Sequence, residues 1–154
     1  MDLVDPSRGP TASQAAGLTL AAARGIIRAA QDEARLMRVA MTVAVVDAGD
    51  QLVAFERMDG ADLVGVTLAR DKAFSALVNR LPTRDIAPVA QPGTEFYGYD
   101  SLAGGRMVIF AGGMPLERDG VLVGAVGVSG GSAEEDQRAA DAAVAAFGRD
   151  APAD

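Results

Sequence analysis

The 154-residue chain carries 14 basic against 21 acidic side chains, a formal net charge of −7, and 49% of its residues are hydrophobic. A field of that sign repels phosphate backbones and anionic lipid, so neither nucleic acid nor a membrane is an expected partner. The chain has no Cys and no His, which removes thiolate and imidazole from metal binding, nucleophilic catalysis and general-base work.

Residues 1–17 are rich in Pro, Ser and Gly and read as a flexible arm before one domain over 18–149, with 150–154 a short tail. The N-terminus lacks a basic start followed by an apolar run, so the cytoplasm is the expected compartment. Thr19 to Arg38 is predicted to be a helix with Thr19 as its N-cap. Ala23, Ile26, Ile27, Ala30, Ala34 and Met37 share one face, and Arg24, Arg28, Arg35 and Arg38 another. Met41–Asp47 and Gln51–Met58 are β-rich runs around the turn signal Ala48-Gly49-Asp50, which predicts a hairpin.

Asp62 to Arg80 reads as a second helix, stopped before Pro82, and Thr83–Ala90 as a short helical turn. Gln91–Gly105 holds five Gly or Pro residues and reads as a loop, a length that inside a compact domain is usually functional or disordered. Arg106–Ala111 and Val121–Ser129 read as strands, the second entered through Arg118-Asp119-Gly120. Gly124 and Gly127 within that strand suggest a bulge or a close backbone approach. Ser132 and Glu135 form a capping box for a last helix ending at Phe147. Hairpin-linked strands with intervening helices predict an α+β domain on an antiparallel sheet. An edge strand from the Gly-rich segment would make a fifth strand.

Arg70 is the strongest anomaly. On the second helix, Leu63, Val66, Ala73, Phe74 and Leu77 outline an apolar face with Arg70 in its middle, whereas Lys72 points to the opposite side. A buried guanidinium requires a carboxylate, carbonyls or an anionic ligand. Arg70 is therefore either an anchor for a carboxylate or internally paired, for example with Asp47 or Glu56. The run Thr94-Glu95-Phe96-Tyr97-Gly98-Tyr99-Asp100 holds three of the seven aromatic residues. It reads as a ligand platform or lid, or as a plug on the core. Without His, Glu95, Tyr97 and Asp47 are the acid–base candidates, although Asp47 also suits a turn cap. The Gly112-Gly113 pair, with Arg106 ahead of it, is a candidate for close backbone approach to a ligand.

The segments VVDAGDQLVAFERMDGA, LARDKAFSAL and FYGYDSLAGGRMVIFAGGMPLERDGVLVGAVGVSGGSAEEDQ resemble the GlcG/HbpS-like family, also called the haem-degrading domain, over roughly Leu18 to Phe147. The resemblance implies a profilin-like fold with about five antiparallel strands flanked by helices. It implies self-association into a homo-oligomer, which a mean hydropathy of +0.16 suits. It also implies haem or corrinoid as ligand, with Arg70, Phe96, Tyr99, Arg106, Gly112 and Gly113 around the site. Iron would then have to use Tyr97, Tyr99, Met107, Met114 or no side chain, because no His or Cys ligand is available. Two readings follow: a binding protein for haem or another tetrapyrrole, and a metal-independent lyase or isomerase acting on a small carboxylate or oxidised aromatic. In the second, Glu95, Tyr97 or Asp47 would move the proton. A ligand-free structural oligomer ranks behind both.

Overall fold

The computed structural model describes residues 9–149. The expected tail and the first eight residues of the expected arm lie outside them. Ala12–Ala15 form a helical turn, α1, in which Thr11 Oγ1 accepts from Gln14 N and the Gln14 side chain accepts from Thr11 N. Ser13 is buried and its hydroxyl accepts from Ala48 N at 3.1 Å, which ties the turn to the hairpin. A local capping box and one long-range hydrogen bond position this turn against the hairpin.

Helix α2 (Leu20–Met37) starts where Thr19 Oγ1 accepts from Ala22 N and ends at Arg38, which adopts a left-handed conformation. Its expected apolar face is buried, and the Arg stripe faces solvent. Strands β1 (Thr42–Asp47) and β2 (Leu52–Arg57) form the expected hairpin. Asp47 Oδ1 accepts from Gly49 N and Gln51 N at 2.8 and 3.0 Å, so this carboxylate caps the turn. Helix α3 (Gly65–Asn79) is followed by the short α4 (Thr83–Ile86) and by 3-10 turns at Ala87–Val89 and Tyr99–Ser101. A kinked turn, α5 (Leu102–Gly105), precedes β3 (Gly113–Arg118), β4 (Val121–Ser129) and α6 (Ala133–Arg149).

The sheet is antiparallel and has four strands, not five, in the order β2-β1-β4-β3. The expected strand at Arg106–Ala111 is not one; the strand lies one segment later. Arg106–Ala111 is β-prone, but its backbone is satisfied elsewhere. Ser75 Oγ on α3 accepts from Val108 N at 2.8 Å, donates to Asp71 O at 2.7 Å and lies 3.2 Å from Arg106 O. Gly113, by contrast, pairs with Gly127 beneath α3, where a Cβ would come within 2.6 Å of Thr83 Cγ2. Pro115 is tolerated because β3 is an edge strand.

Helices α2 and α6 cover one face of the sheet and α3 the other. The main core joins Ile26 and Ile27 of α2 to Met41, Val43, Val45, Val126 and Val128 of the sheet and Phe147 of α6. Burying each Ile is worth about 1.5–3 kcal/mol. The second face is much thinner. There α3 presents Gly65, Ala69, Ala73 and Ala76 to the sheet, and a Cβ at Gly127 would overlap the Ala69 carbonyl. Small residues on both sides bring helix and strand backbones together.

Candidate functional site

That close approach turns α3 around relative to the reading of its sequence. Part of the expected apolar face points outward: Leu63 just before the helix is 77% exposed, and Val66 and Val78 are exposed as well, whereas Ala73 and Leu77 of that face are buried. Arg70 lies on this outward stripe, so it is exposed rather than buried. It has no ion-pair partner among the described residues. With Val66, Thr67, Asp71 and Arg106 it lines an open cleft of about 230 Å³.

Arg106 forms the other side of the cleft and is firmly held. Its Nε donates to Asp71 Oδ1 and its Nη1 to Asp50 Oδ2, both at 3.0 Å, and the guanidinium lies 3.9 Å from the Phe74 ring centroid. Partial desolvation pulls its pKa down. The hydrogen bonds it donates to Asp50 and Asp71, and their charges, outweigh that and hold it above the ordinary value. With two carboxylates engaged, Arg106 ties the long loop to α3 and the hairpin, and Arg70 is the guanidinium left for a ligand.

The aromatic loop opens onto a different pocket. Tyr99 and Phe96 meet edge to face at 6.2 Å, and Tyr99 OH donates to Asn79 Oδ1 at 2.5 Å. With Leu81, Asp85, Ile86 and Val89 they line about 210 Å³. Glu95 faces solvent, and Tyr97 is 69% exposed with no hydrogen-bond partner for its hydroxyl among the described residues. Asp47 borders a third cavity, beside Ser13, Leu18 and Leu52. Glu95 and Tyr97 therefore share the exposed loop, and Asp47 lies apart from them at the hairpin turn.

Gly112 and Gly113 belong to neither opening. They are buried against an ion pair that the reading of the sequence missed. Lys72, 0% exposed, donates to Asp136 Oδ2 at 2.5 Å and to Val128 O at 2.9 Å. Asp136 Oδ1 accepts from Gly130 N and Gly131 N at 3.0 and 2.9 Å. Gly112 has φ +111°, and a Cβ there would reach 2.5 Å from Val128 O and 2.9 Å from Lys72 Nζ. Only glycine leaves room for the ammonium. Burial lowers the Lys72 pKa from its ordinary 10.5, against the attraction of Asp136. The pair is out of contact with solvent and welds α3, β4 and the start of α6. The signal in the sequence was the row of small residues beside Lys72, together with the Gly-Gly pairs at the start of β3 and just after β4.

The comparisons with known proteins agree with this architecture. A family model described as haem degrading protein HbpS-like matches residues 18–145. The chain belongs to this HbpS-like family. It is 40% identical over 122 residues to the corrinoid adenosyltransferase PduO of Salmonella typhimurium, covering 79% of this chain. The chain spans only about a third of that protein, 36% of its length. It is 37% identical over 134 residues to an uncharacterised 15.0 kDa protein from the dhaT–dhaS intergenic region of Citrobacter freundii, covering 87% of this chain and 94% of that one. A crystal structure of a PduOC–haem complex superposes with a TM-score of 0.81 at 39% identity, covering 84% of this chain and 94% of that one. The HbpS-like fold is thus the α+β, helix-flanked antiparallel sheet described above.

Proposed function

We propose that this HbpS-like chain binds haem or another tetrapyrrole on the outward face of α3. The observation that carries the reading is the pairing of exposed apolar side chains, Leu63 and Val66, beside the half-buried Phe74, with the unpaired Arg70. An amphipathic macrocycle with carboxylate arms is the complement of such a surface: the ring buries apolar area and a propionate meets the guanidinium. The relative crystallised with haem supports the same ligand class.

The surface offers apolar area for the ring and one free guanidinium for a propionate, and it restricts the ligation of iron. Without His or Cys, side-chain ligation falls to phenolate oxygen or thioether sulfur. Tyr99 OH is held by Asn79, and Met107 and Met114 Sδ accept weakly from Asn79 and Gln137, which leaves Tyr97. Bound iron would supply redox chemistry, and this chain's own residues would hold the macrocycle and its carboxylates. The cleft of about 230 Å³ is smaller than the 300–1,000 Å³ typical of enclosing ligand pockets. The ring therefore lies across the surface, and self-association into a homo-oligomer would cover its outer side.

Titration with hemin tests the reading. Binding at micromolar protein shifts the Soret band, and Arg70→Ala weakens it by up to about fivefold, the worth of one exposed ion pair. No Soret change with the parent protein overturns the proposal. Light scattering with and without hemin reads the oligomer directly.

A further inference from the structure

The pocket under the aromatic loop shares no residue with the Arg70 cleft, and its chemistry is of the opposite sign. Ile86 is the buried floor, and Leu81, Val89, Phe96 and Tyr99 form the walls. The walls are held in place locally. Phe96 N donates to Val89 O at 3.1 Å, and Thr94 Oγ1 donates to Val89 O at 2.6 Å, which fixes the two ends of the 89–96 turn against each other. The polar atoms of Asn79 and Tyr99 are already used. Tyr99 OH donates to Asn79 Oδ1, and Asn79 Nδ2 donates to Ser75 O at 2.8 Å. Asp85 is the charged group of the lining. Its nearest cation is the neighbouring Arg84, with Nε at 3.8 Å, and Arg84 Nη1 also leans toward Asp141 at 3.9 Å. No hydrogen bond is donated to the Asp85 carboxylate among the described residues.

A preformed apolar pocket with an aromatic wall and one open carboxylate at its rim matches a small organic cation. Its volume of about 210 Å³ suits one ring, since a cavity of about 150 Å³ accommodates benzene. We propose that this pocket is a binding site for an arylalkylammonium-sized amine. The ring packs between Ile86, Val89 and Phe96, and the ammonium sits on Asp85 within reach of the aromatic faces.

The test is an NMR titration of the full chain with benzylamine, benzyl alcohol and benzoate at neutral pH. Benzylamine is expected to shift the Val89, Phe96 and Tyr99 resonances and to bind about threefold or more tighter than benzyl alcohol, with benzoate weakest. Asp85→Asn should erase the advantage of the amine and leave the alcohol unchanged, whereas Val89→Phe should block both by filling the pocket. Asp100→Asn removes the same charge from the loop outside the lining and should leave the ranking intact. The proposal is overturned if no probe shifts these resonances, if benzoate binds as well as benzylamine, or if Asp85→Asn and Asp100→Asn act alike. The last outcome would mean attraction to the net charge alone.

Discussion

Replacing Lys72 by Met tests the buried ion pair. Met keeps the length of the side chain and removes the ammonium. Asp136 would keep its bonds from Gly130 N and Gly131 N but lose its countercharge, and Val128 O would lose its donor. Breaking a buried pair from one side costs about 3–5 kcal/mol. Two retained hydrogen bonds put this case near the lower end, about 3 kcal/mol. Against a typical total of about 5–15 kcal/mol, that is a large fraction, and it corresponds to a Tm lower by about 6–12 °C. Urea unfolding followed by circular dichroism measures it. Asp136→Asn should cost a comparable amount, and Lys72→Met/Asp136→Asn less than the sum by about 1–2 kcal/mol. The pH dependence carries a second signature. Burial lowers the folded-state pKa of Lys72, so between that value and 10.5 the unfolded chain binds a proton that the native state does not. The Lys72 contribution to stability therefore rises with pH across that window, and Lys72→Met loses this slope. A Lys72→Met protein within about 1 kcal/mol of the parent would refute the account of the pair as a weld.

Other changes probe the remaining joints. Gly127→Ala places a methyl group against the Ala69 carbonyl; overpacking of this kind costs about 1–3 kcal/mol, read by thermal melting, and a neutral result would mean that α3 can move off the sheet freely. Ser132→Ala removes the hydroxyl that accepts from Glu135 N at 3.2 Å and should cost about 1 kcal/mol in urea unfolding. Arg106→Met releases Asp50 and Asp71 at a half-exposed site. Its effect on stability should stay near 1 kcal/mol or below, while amide exchange over residues 103–110 accelerates, because the loop loses its main tether. Unchanged exchange there would show that Ser75 alone holds the segment.

Much of the fold was legible because its signals are local. The Thr19 cap, the Ser132–Glu135 capping box, the hairpin turn and the 3.6-residue spacing on α2 each depend on neighbours a few positions away. The β3 strand was misplaced because β propensity measures a side chain's fit to a pleated surface, and Gly113-Met114-Pro115 offers little of it. What puts that segment in the sheet is room for Gly113 beneath α3. The expected site at Arg70, the Glu95–Tyr99 loop and Gly112-Gly113 resolves into two surface openings and one buried ion pair for the same reason.

The sequence by itself determined an α+β fold of this family, an excess of acidic side chains, and a chain without imidazole or thiolate, since these follow from composition and short-range pattern. Only the tertiary structure decided which way α3 faces. Apolar periodicity ranks faces by side-chain size, but α3 meets β4 at Gly127, where contact distance matters more than apolar bulk. The small residues therefore go in, with Leu77 and Lys72 beside them, and Leu63, Val66 and Arg70 stay at the surface.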